Sequence, residues 1–471
     1  MEKISFRTKI SFALGGMGKD MMFAMSTVML YYFTDLLLIN AAFIGIMMMV
    51  VRVWDAVNDP IMGTIVERTE SRWGKFRPWI LIGTVLNAVV LVVLFTNPGF
   101  ATNSALQKIF VTLLYTLWGM TYTLMDIPFW SMIPSLSSSQ KERESITILT
   151  RLFTSIGYFI IAAGYVSISK ILGGGEAISN EIVGLFYLSI IVAVIFIATE
   201  IVTVSNVKEK IMVKEPKKTV RDMFELLKQN DQLLVVMIVV LIINFTLYIT
   251  SGVAIYYMTY SIGDADLFVL FMAAAGVLQV FGSLAYGIVS KKLKRKQIYN
   301  VAIFLQLGGF ILLFVNAFFL GNSVALLFAF GAPIFFGQGM FMVLQTVMLS
   351  DTVEYGELKT GKRSEALAFS VQTFVVKLAM GLSLGVIGVG LTIIKFVQPV
   401  EDVNTGEVIR AVQSTATLNG MSLMMFILPI FGLIVGQYIF NKKHILTEEK
   451  YEEILAELKV KRGESNGENT I

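Results

Sequence analysis

Cysteine is absent, and histidine occurs once, as His444 in a charged carboxy-terminal stretch. The first absence excludes disulfides, thiolate metal sites and thiol nucleophiles. The second excludes histidine-based catalytic triads, HExxH zinc sites and histidine proton relays. Charge is scarce too. Asp, Glu, Lys and Arg make up 15% of the 471 residues, where a soluble domain carries about 25%. The formal net charge of +4 is no nucleic-acid footprint, so no nucleic-acid partner is expected. What fills the chain is hydrophobic: 55% of it, enough for roughly a dozen membrane spans of about 20 residues each.

The apolar runs are long and are separated by short charged segments. They predict twelve transmembrane helices over residues 12–34, 41–65, 78–97, 106–134, 147–171, 182–204, 233–260, 267–289, 298–319, 324–349, 366–396 and 413–440. A bilayer core admits only helices or closed barrels, and the runs show no period-two alternation, so an all-α membrane protein is expected. The first run holds Lys19 and Asp20 and no small-residue cleavage site, and reads as a span, not a cleavable signal. Of the 38 Lys and Arg residues, 30 lie in segments on one side of the twelve spans and 4 on the other. That bias places the rich side, with both termini, in the cytoplasm.

The longest internal loop divides the chain into two six-helix halves. The expected organisation is a first bundle over 1–204, a cytoplasmic central loop over 205–232, a second bundle over 233–440 and a cytoplasmic tail over 441–471. Val220, Met223, Phe224 and Leu227 in the loop, and Tyr451, Ile454, Leu455 and Leu458 in the tail, fall at helical spacing. Both predict amphipathic surface helices, the second capped by Thr447. A glycine followed four residues later by charge recurs at corresponding inner ends: Gly63 with Glu67 and Arg68, and Gly287 with Lys291 and Lys292. The repeat points to a transporter built from two related halves. The run Gly15-Gly16-Met-Gly18 follows no strand and reads as a helix-packing face, not a phosphate loop.

Ionisable groups inside a bilayer cost several kcal/mol and mark function. The second predicted span holds Arg52, Asp55, Asn58 and Asp59, which share one helical face. Two carboxylates at i, i+4 with an amide oxygen offer hard ligands for a small cation, or share one proton between them. The plainer alternative has Arg52 neutralise Asp55 to hold helices together. The fourth span stacks Tyr122, Asp126 and Trp130 at i, i+4, i+8, beside Thr123. A carboxylate beside an aromatic face suits a sugar's hydroxyl edge and CH face, and also suits an amine. Lys19 and Asp20, about 100° apart on their helix, need not pair with each other. Arg151, Gln372, Thr373 and Lys377 add polar groups in later spans. Glu200 reads as an acid reaching toward the inner face.

Longer motifs carry a resemblance. Gly18-Lys19-Asp20, Arg52 through Pro60, Ser71 through Trp79, Trp118 through Ser131, Gly263 through Phe268, Asp351 through Glu357 and Ser370 through Lys377 are similar to stretches of the glycoside–pentoside–hexuronide:cation symporters. The chain thus resembles that branch of the major facilitator superfamily, and its melibiose-carrying members in particular. The resemblance implies uptake of a galactoside coupled to Na⁺, Li⁺ or H⁺ across a bacterial cell membrane, with no other cofactor. It places the cation at Asp55, Asn58 and Asp59, with Thr123 and Asp126 adjoining. It places sugar contacts at Lys19, Asp20, Asp126, Trp130, Arg151, Gln372, Thr373 and Lys377. It also implies that Arg143, Asp351, Glu357, Arg363 and Glu365 bridge the halves as gating charges, against the plainer reading of solvated loop charge. Met342 departs from the pattern, because melibiose carriers have a tryptophan there. Symport of glucuronides, xylosides or lactose is the alternative within the family. A non-transporting sugar sensor and a membrane glycosidase are the rivals outside it. Paired carboxylates near an aromatic would suit a glycosidase, but Asp55 and Asp59 lie among spans with little room for an attacking water.

Overall fold

The computed structural model describes residues 4–67, 69, 71–136, 140–175, 177–209, 220–361, 364–401 and 408–461. Fourteen α-helices run through them: α1 (Phe6–Tyr31), α2 (Ala41–Glu67), α3 (Arg77–Leu94), α4 (Ala105–Leu136), α5 (Gln140–Gly173), α6 (Ile178–Asn206), α7 (Val220–Gln229), α8 (Asp231–Tyr256), α9 (Leu267–Val289), α10 (Arg295–Phe319), α11 (Val324–Thr360), α12 (Glu365–Ile393), α13 (Thr415–Lys443) and α14 (Glu448–Lys461). Single π-helical turns extend α1 through Tyr32–Leu36 and α8 through Tyr257–Ile262. A two-residue antiparallel ladder pairs β1 (Val400–Glu401) with β2 (Val408–Ile409).

A long helix covers each of the twelve apolar segments, and α7 and α14 are the two expected surface helices. Among the described residues, nine helices are long and apolar enough to cross a membrane. The others of that length, α1, α2 and α4, hold Lys19, Asp20, Arg52, Asp55, Asp59 and Asp126. Side chains that face outward support a lipid surrounding. Val277, Val280, Phe281, Leu284 and Ile288 form an exposed stripe along α9 at helical spacing. An apolar stripe of that length belongs against lipid and not water.

By contacts, the chain divides into two compact units. The first comprises Met1–Lys217, Gly252–Ala273 and Gly381–Met421; the second comprises Lys218–Ser251, Ala274–Met380 and Ser422–Ile471. In the first, α1 lies against α5 and α6, α3 against α4 and α6, and α2 against α4. Small residues permit this. Gly15 and Gly18 of α1 meet Thr203 and Thr199 of α6, and Gly16 meets Thr150 and Thr154 of α5. A Cβ at Gly18 would lie 2.0 Å from Thr199 Oγ1. The glycine run is therefore the packing face it was expected to be. The entry to α3 is fixed by Glu209, whose carboxylate accepts the backbone N–H groups of Lys75 and Phe76, each at 2.8 Å. Negative charge there also favours the helix dipole.

In the second unit, α10 packs on α11 and α11 on α14. Leu446, Ile454 and Leu458 form a small core with Tyr355 and Leu358. Thr447 caps α14 by accepting the Lys450 N–H at 3.3 Å. Lys294 pairs with Glu449, and its ammonium holds that carboxyl well down, at about 2. Burial pushes the His444 imidazole down to about 4, and the ring stacks on Phe440. The lone histidine is thus neutral packing near neutral pH. On α7, Leu226 is buried and Phe224 meets Phe374 of α12; the side chains of Val220 and Met223 lie outside the described residues.

A close helix crossing in the first unit joins α2 to the end of α12. A Cβ at Gly45 would lie 2.7 Å from the Gly388 Cα. Gly388→Leu should therefore force the helices apart and cost ~1–3 kcal/mol. Thermal unfolding of the purified variant checks this; a midpoint equal to that of the parent would refute so close an approach.

Candidate substrate and cation site

Two neighbouring clusters occupy the first unit. One centres on Lys19, whose side chain is 4% exposed. Its ammonium donates to Asp126 Oδ1 at 2.8 Å and the Tyr122 hydroxyl at 3.2 Å, and pairs with Asp20 Oδ1 at 2.7 Å. Asp20 and Lys19, which at about 100° separation need not pair, do so: the four-carbon lysine stem is long enough to swing back along α1. Lys19 also lies over the Trp130 ring at 5.1 Å, and the Arg151 guanidinium stacks on the same ring at 4.2 Å. Trp130 thus sits between two cations. Asp20 and Asp126 side chains remain 20% and 25% exposed, so their remaining lone pairs are reachable. The arrangement presents carboxylate acceptors, cationic donors and one aromatic face, the chemistry a polyol with an apolar ring face requires.

The second cluster lies where α2 runs along α4. Asp55 meets Gly119, where a Cβ would come within 2.5 Å of Asp55 Oδ1, and Asp59 accepts the Thr123 hydroxyl at 3.1 Å. Both contacts advance four residues on each helix, so α2 and α4 run side by side in the same direction. Glycine at 119 is what lets the first carboxylate in. Arg52 donates to Asp55 Oδ2 at 3.3 Å and lies over the rings of Phe23, Tyr115 and Trp118. The neutralising role considered for Arg52 is therefore real for Asp55. Asp59 is half-buried, as is Asn58 beside it.

The remaining candidates, Arg143 of α5 apart, belong to the second unit. Gln372, Thr373 and Lys377 lie on α12, Thr373 and Lys377 one turn apart. Met342 on α11 is exposed. Asp351 is buried and accepts Arg295 Nη1 at 2.6 Å, a partner from its own unit. Glu357 is half-buried on α11. Arg363 and the side chains of Arg143 and Glu365 lie outside the described residues. Glu200 contradicts its expected reach toward the inner face: it has no exposed surface. The glycine seam of α1 brings that turn of α6 close and closes over it.

A third polar network went unread in the sequence. At the carboxy-terminal end of α1, Asp35 accepts the Tyr260 hydroxyl at 2.5 Å and the Thr34 hydroxyl at 2.8 Å. Glu181 of α6 pairs with Arg410 at 3.3 Å, and Arg410 donates to the Tyr31 hydroxyl at 3.0 Å. Burial works to lower the Arg410 pKa, but Tyr31 and Glu181 outweigh it and the value is raised. Gln398 donates to the backbone carbonyls of Thr34 and Ile39. The span was expected to end at residue 34, one short of Asp35; the π-helical turn carries Asp35 inside, 1% exposed. Nothing in local sequence links Glu181 to an arginine more than 200 residues away.

A bundle of long apolar helices with charges gathered inside its first members defines a polytopic membrane transporter. Residues 11–441 match the family described as MFS/sugar transport protein, and the chain belongs to that family. It is 30% identical to the lactose permease of Lactobacillus delbrueckii subsp. bulgaricus, over 98% of this chain and 74% of that one. It is 28% identical to the raffinose carrier protein of Pediococcus pentosaceus, over 88% of this chain and 64% of that one. Among solved structures it is similar to a bacterial homologue of the human lysosomal transporter Spinster, in an inward-facing, unoccupied conformation. The TM-score is 0.66 at 11% identity, over 92% of this chain and 95% of that one, which shows the major facilitator fold. The chain is thus a sugar symporter of this family and not an enzyme.

A second ion pair of the first unit, Lys170 with Asp266 at 3.0 Å, lies nearer the surface than Arg410 with Glu181, and that depth decides their worth. Arg410→Gln strands Glu181, whose side chain is 1% exposed, and should cost ~3–5 kcal/mol. Lys170→Ala breaks a pair with Asp266, which is 53% exposed, and should cost ~0–1 kcal/mol. Comparing unfolding midpoints of the two variants checks the ranking; equal losses would contradict it.

Proposed function

We propose that the chain imports a galactoside, melibiose-like in character, in symport with Na⁺, Li⁺ or H⁺ across the cytoplasmic membrane of a bacterium. The reading keeps twelve spans in two six-helix halves, with both termini in the cytoplasm. One observation carries it: a buried ammonium holds two carboxylates, each with reachable lone pairs, beside a tryptophan face. Lactose and raffinose, named for two relatives, both contain a galactosyl unit. The lactose permease also favours lactose as the second reading among substrates.

In this mechanism Asp59, Asn58 and Thr123 take the cation with Asp55, and Asp126 adjoins them. The incoming cation cancels repulsion between the acids of α2 and steadies the adjoining turn of α4. Sugar hydroxyls then donate to Asp20 and Asp126, while Lys19 and Arg151 donate to sugar oxygens and Trp130 covers the apolar ring face. Gln372, Thr373 and Lys377 complete the sugar contacts from the second half. By linkage, each ligand raises the affinity of the other by the same factor. The halves then rock about the bound pair. Arg143, Asp351, Glu357, Arg363 and Glu365 serve as inner gating charges, and the Asp35, Glu181 and Arg410 network serves at the outer end. Membrane lipid is the remaining partner.

Uptake of radiolabelled melibiose and lactose into vesicles, under imposed Na⁺, Li⁺ or H⁺ gradients, tests this reading. Accumulation driven by at least one gradient is expected; uptake indifferent to all three would sink it. Asp59→Cys should lose the cation stimulation of sugar binding, a factor of about 5–150 for a coupling of ~1–3 kcal/mol. Stimulation that survives in that variant would be decisive against the assignment. Asp20→Ala should abolish galactoside binding, and near-parental affinity would reject the sugar site.

A further inference from the structure

The ends of α1 and α8 carry the same short motif. Tyr31-Tyr32-Phe33-Thr34-Asp35 and Tyr256-Tyr257-Met258-Thr259-Tyr260 align position by position, 225 residues apart. Both segments leave α geometry for a π-helical turn, Tyr32–Leu36 in one and Tyr257–Ile262 in the other. Their long-period bonds run from Leu37 N–H to the Tyr32 carbonyl at 2.9 Å and from Gly263 N–H to the Met258 carbonyl at 3.0 Å. Such turns are rare and often mark functional sites. Both copies belong to the first compact unit, and they touch. The Tyr31 and Tyr256 rings meet edge to face with centroids 6.4 Å apart, and the Tyr260 hydroxyl donates to Asp35 Oδ1 at 2.5 Å. In each pair the two residues hold the same position of the repeat. Copies related by a twofold axis meet through equivalent positions only close to that axis. The packing around them is tight. Thr34 and the Tyr256 hydroxyl share a hydrogen bond of 2.7 Å, and Phe396 meets the rings of Tyr256 and Tyr260. Tyr31, Tyr32, Thr34, Asp35, Tyr256 and Tyr257 are all buried.

We propose that these two matched turns are the outer plug of the sugar path, meeting on the axis between the halves and parting to admit sugar from outside. The proposal deepens the symporter reading and rests on its two halves. In a transporter of two parallel repeats that axis runs along the membrane normal, and the substrate sits at the repeat interface. Tyr31 lies roughly 18 Å along α1 from Lys19, at 1.5 Å per residue. The contact therefore closes the line of travel on the far side of the Lys19 cluster from the cytoplasm. In the closed form Asp35 keeps Tyr260 and Thr34 keeps Tyr256. In the open form each of these groups takes water or a sugar hydroxyl in exchange, and only hydrogen bonds change. The pairing of equivalent positions also explains why two helix ends so far apart in sequence carry one motif: each copy is the other's partner.

The absence of cysteine makes the test clean. Thr27→Cys supplies a single thiol; Thr27 is half-buried and lies seven residues from both Asp20 and Thr34, on their face of α1. Right-side-out vesicles of the full chain are treated with a membrane-impermeant maleimide. Adding Tyr260→Phe or Tyr256→Phe should speed labelling by about tenfold, the upper range for one hydrogen bond, and the two together should exceed either. Thr34→Val should speed it as well, and Thr34→Ser, which keeps the hydroxyl, should not. Labelling unchanged by the phenylalanine variants would overturn the proposal, even where their unfolding midpoints fall, since that is what a purely structural contact does. Should a phenylalanine variant not fold, Thr34→Val against Thr34→Ser decides by the same readout, and equal rates refute the plug. Melibiose and lactose uptake is read in the same vesicles. A parent that accumulates neither sugar, with labelling as expected, removes the galactoside reading and leaves the plug. A parent that accumulates one, with labelling that ignores these substitutions, removes the plug alone.

Discussion

A single ammonium and its three partners govern the first unit. Lys19 is buried, and burying a charge is tolerable only when every donor is satisfied. Asp20 and Asp126 pair with the ammonium, and Asp126 and Tyr122 accept its hydrogen bonds, from α1 and α4. The same contacts gather two partly exposed carboxylates around one cation.

Its position depends on the least chemical residues in the region. Gly15, Gly16 and Gly18 let α1 lie against threonines of α5 and α6, and Gly119 lets Asp55 lie against α4. A methyl group at any of these places would enter space already filled. Small residues therefore set where the charges stand, and close packing keeps them there. Threonine suits the opposite side of the seam. Its hydroxyl returns to its own helix backbone, as Thr154 does with the Arg151 carbonyl at 2.9 Å, so the interface gains no unsatisfied donor.

Much of this was readable from residues alone. The length and hydropathy of the runs placed each helix, but not every end: α11 runs on to Thr360 past the expected 349, and α5 starts at Gln140 ahead of the expected 147, because both extensions are polar. The i, i+4 spacing of Asp55 and Asp59, and of Tyr122, Asp126 and Trp130, fixed shared faces, because helix geometry is local. What escaped was long-range or lay at a boundary. Asp35 fell one residue beyond the expected end of its span, and a π-helical turn brings it inside. Glu181 and Arg410 meet only through tertiary packing. Lys19 and Asp20 pair because a flexible stem overrides backbone direction. Glu200 looked free to reach water, since nothing in its own helix shows that α1 closes over it.

Depth separates the ion pairs into two kinds. Pairs at the surface, such as Arg221 with Glu225 on α7, are solvated on both sides and exchange partners at little cost. In the interior, both members of the Arg52–Asp55 pair, and Glu181 of its pair with Arg410, have no solvent to turn to. A motion that parts an interior pair must supply another partner at once, whether a cation, a hydroxyl or a second side chain. That requirement links conformation to occupancy without any wire between sites: an empty site cannot shed its internal partners, and a filled one can. Arg52 illustrates the point. Three aromatic rings surround its guanidinium, so its charge has a favourable electrostatic surrounding besides Asp55.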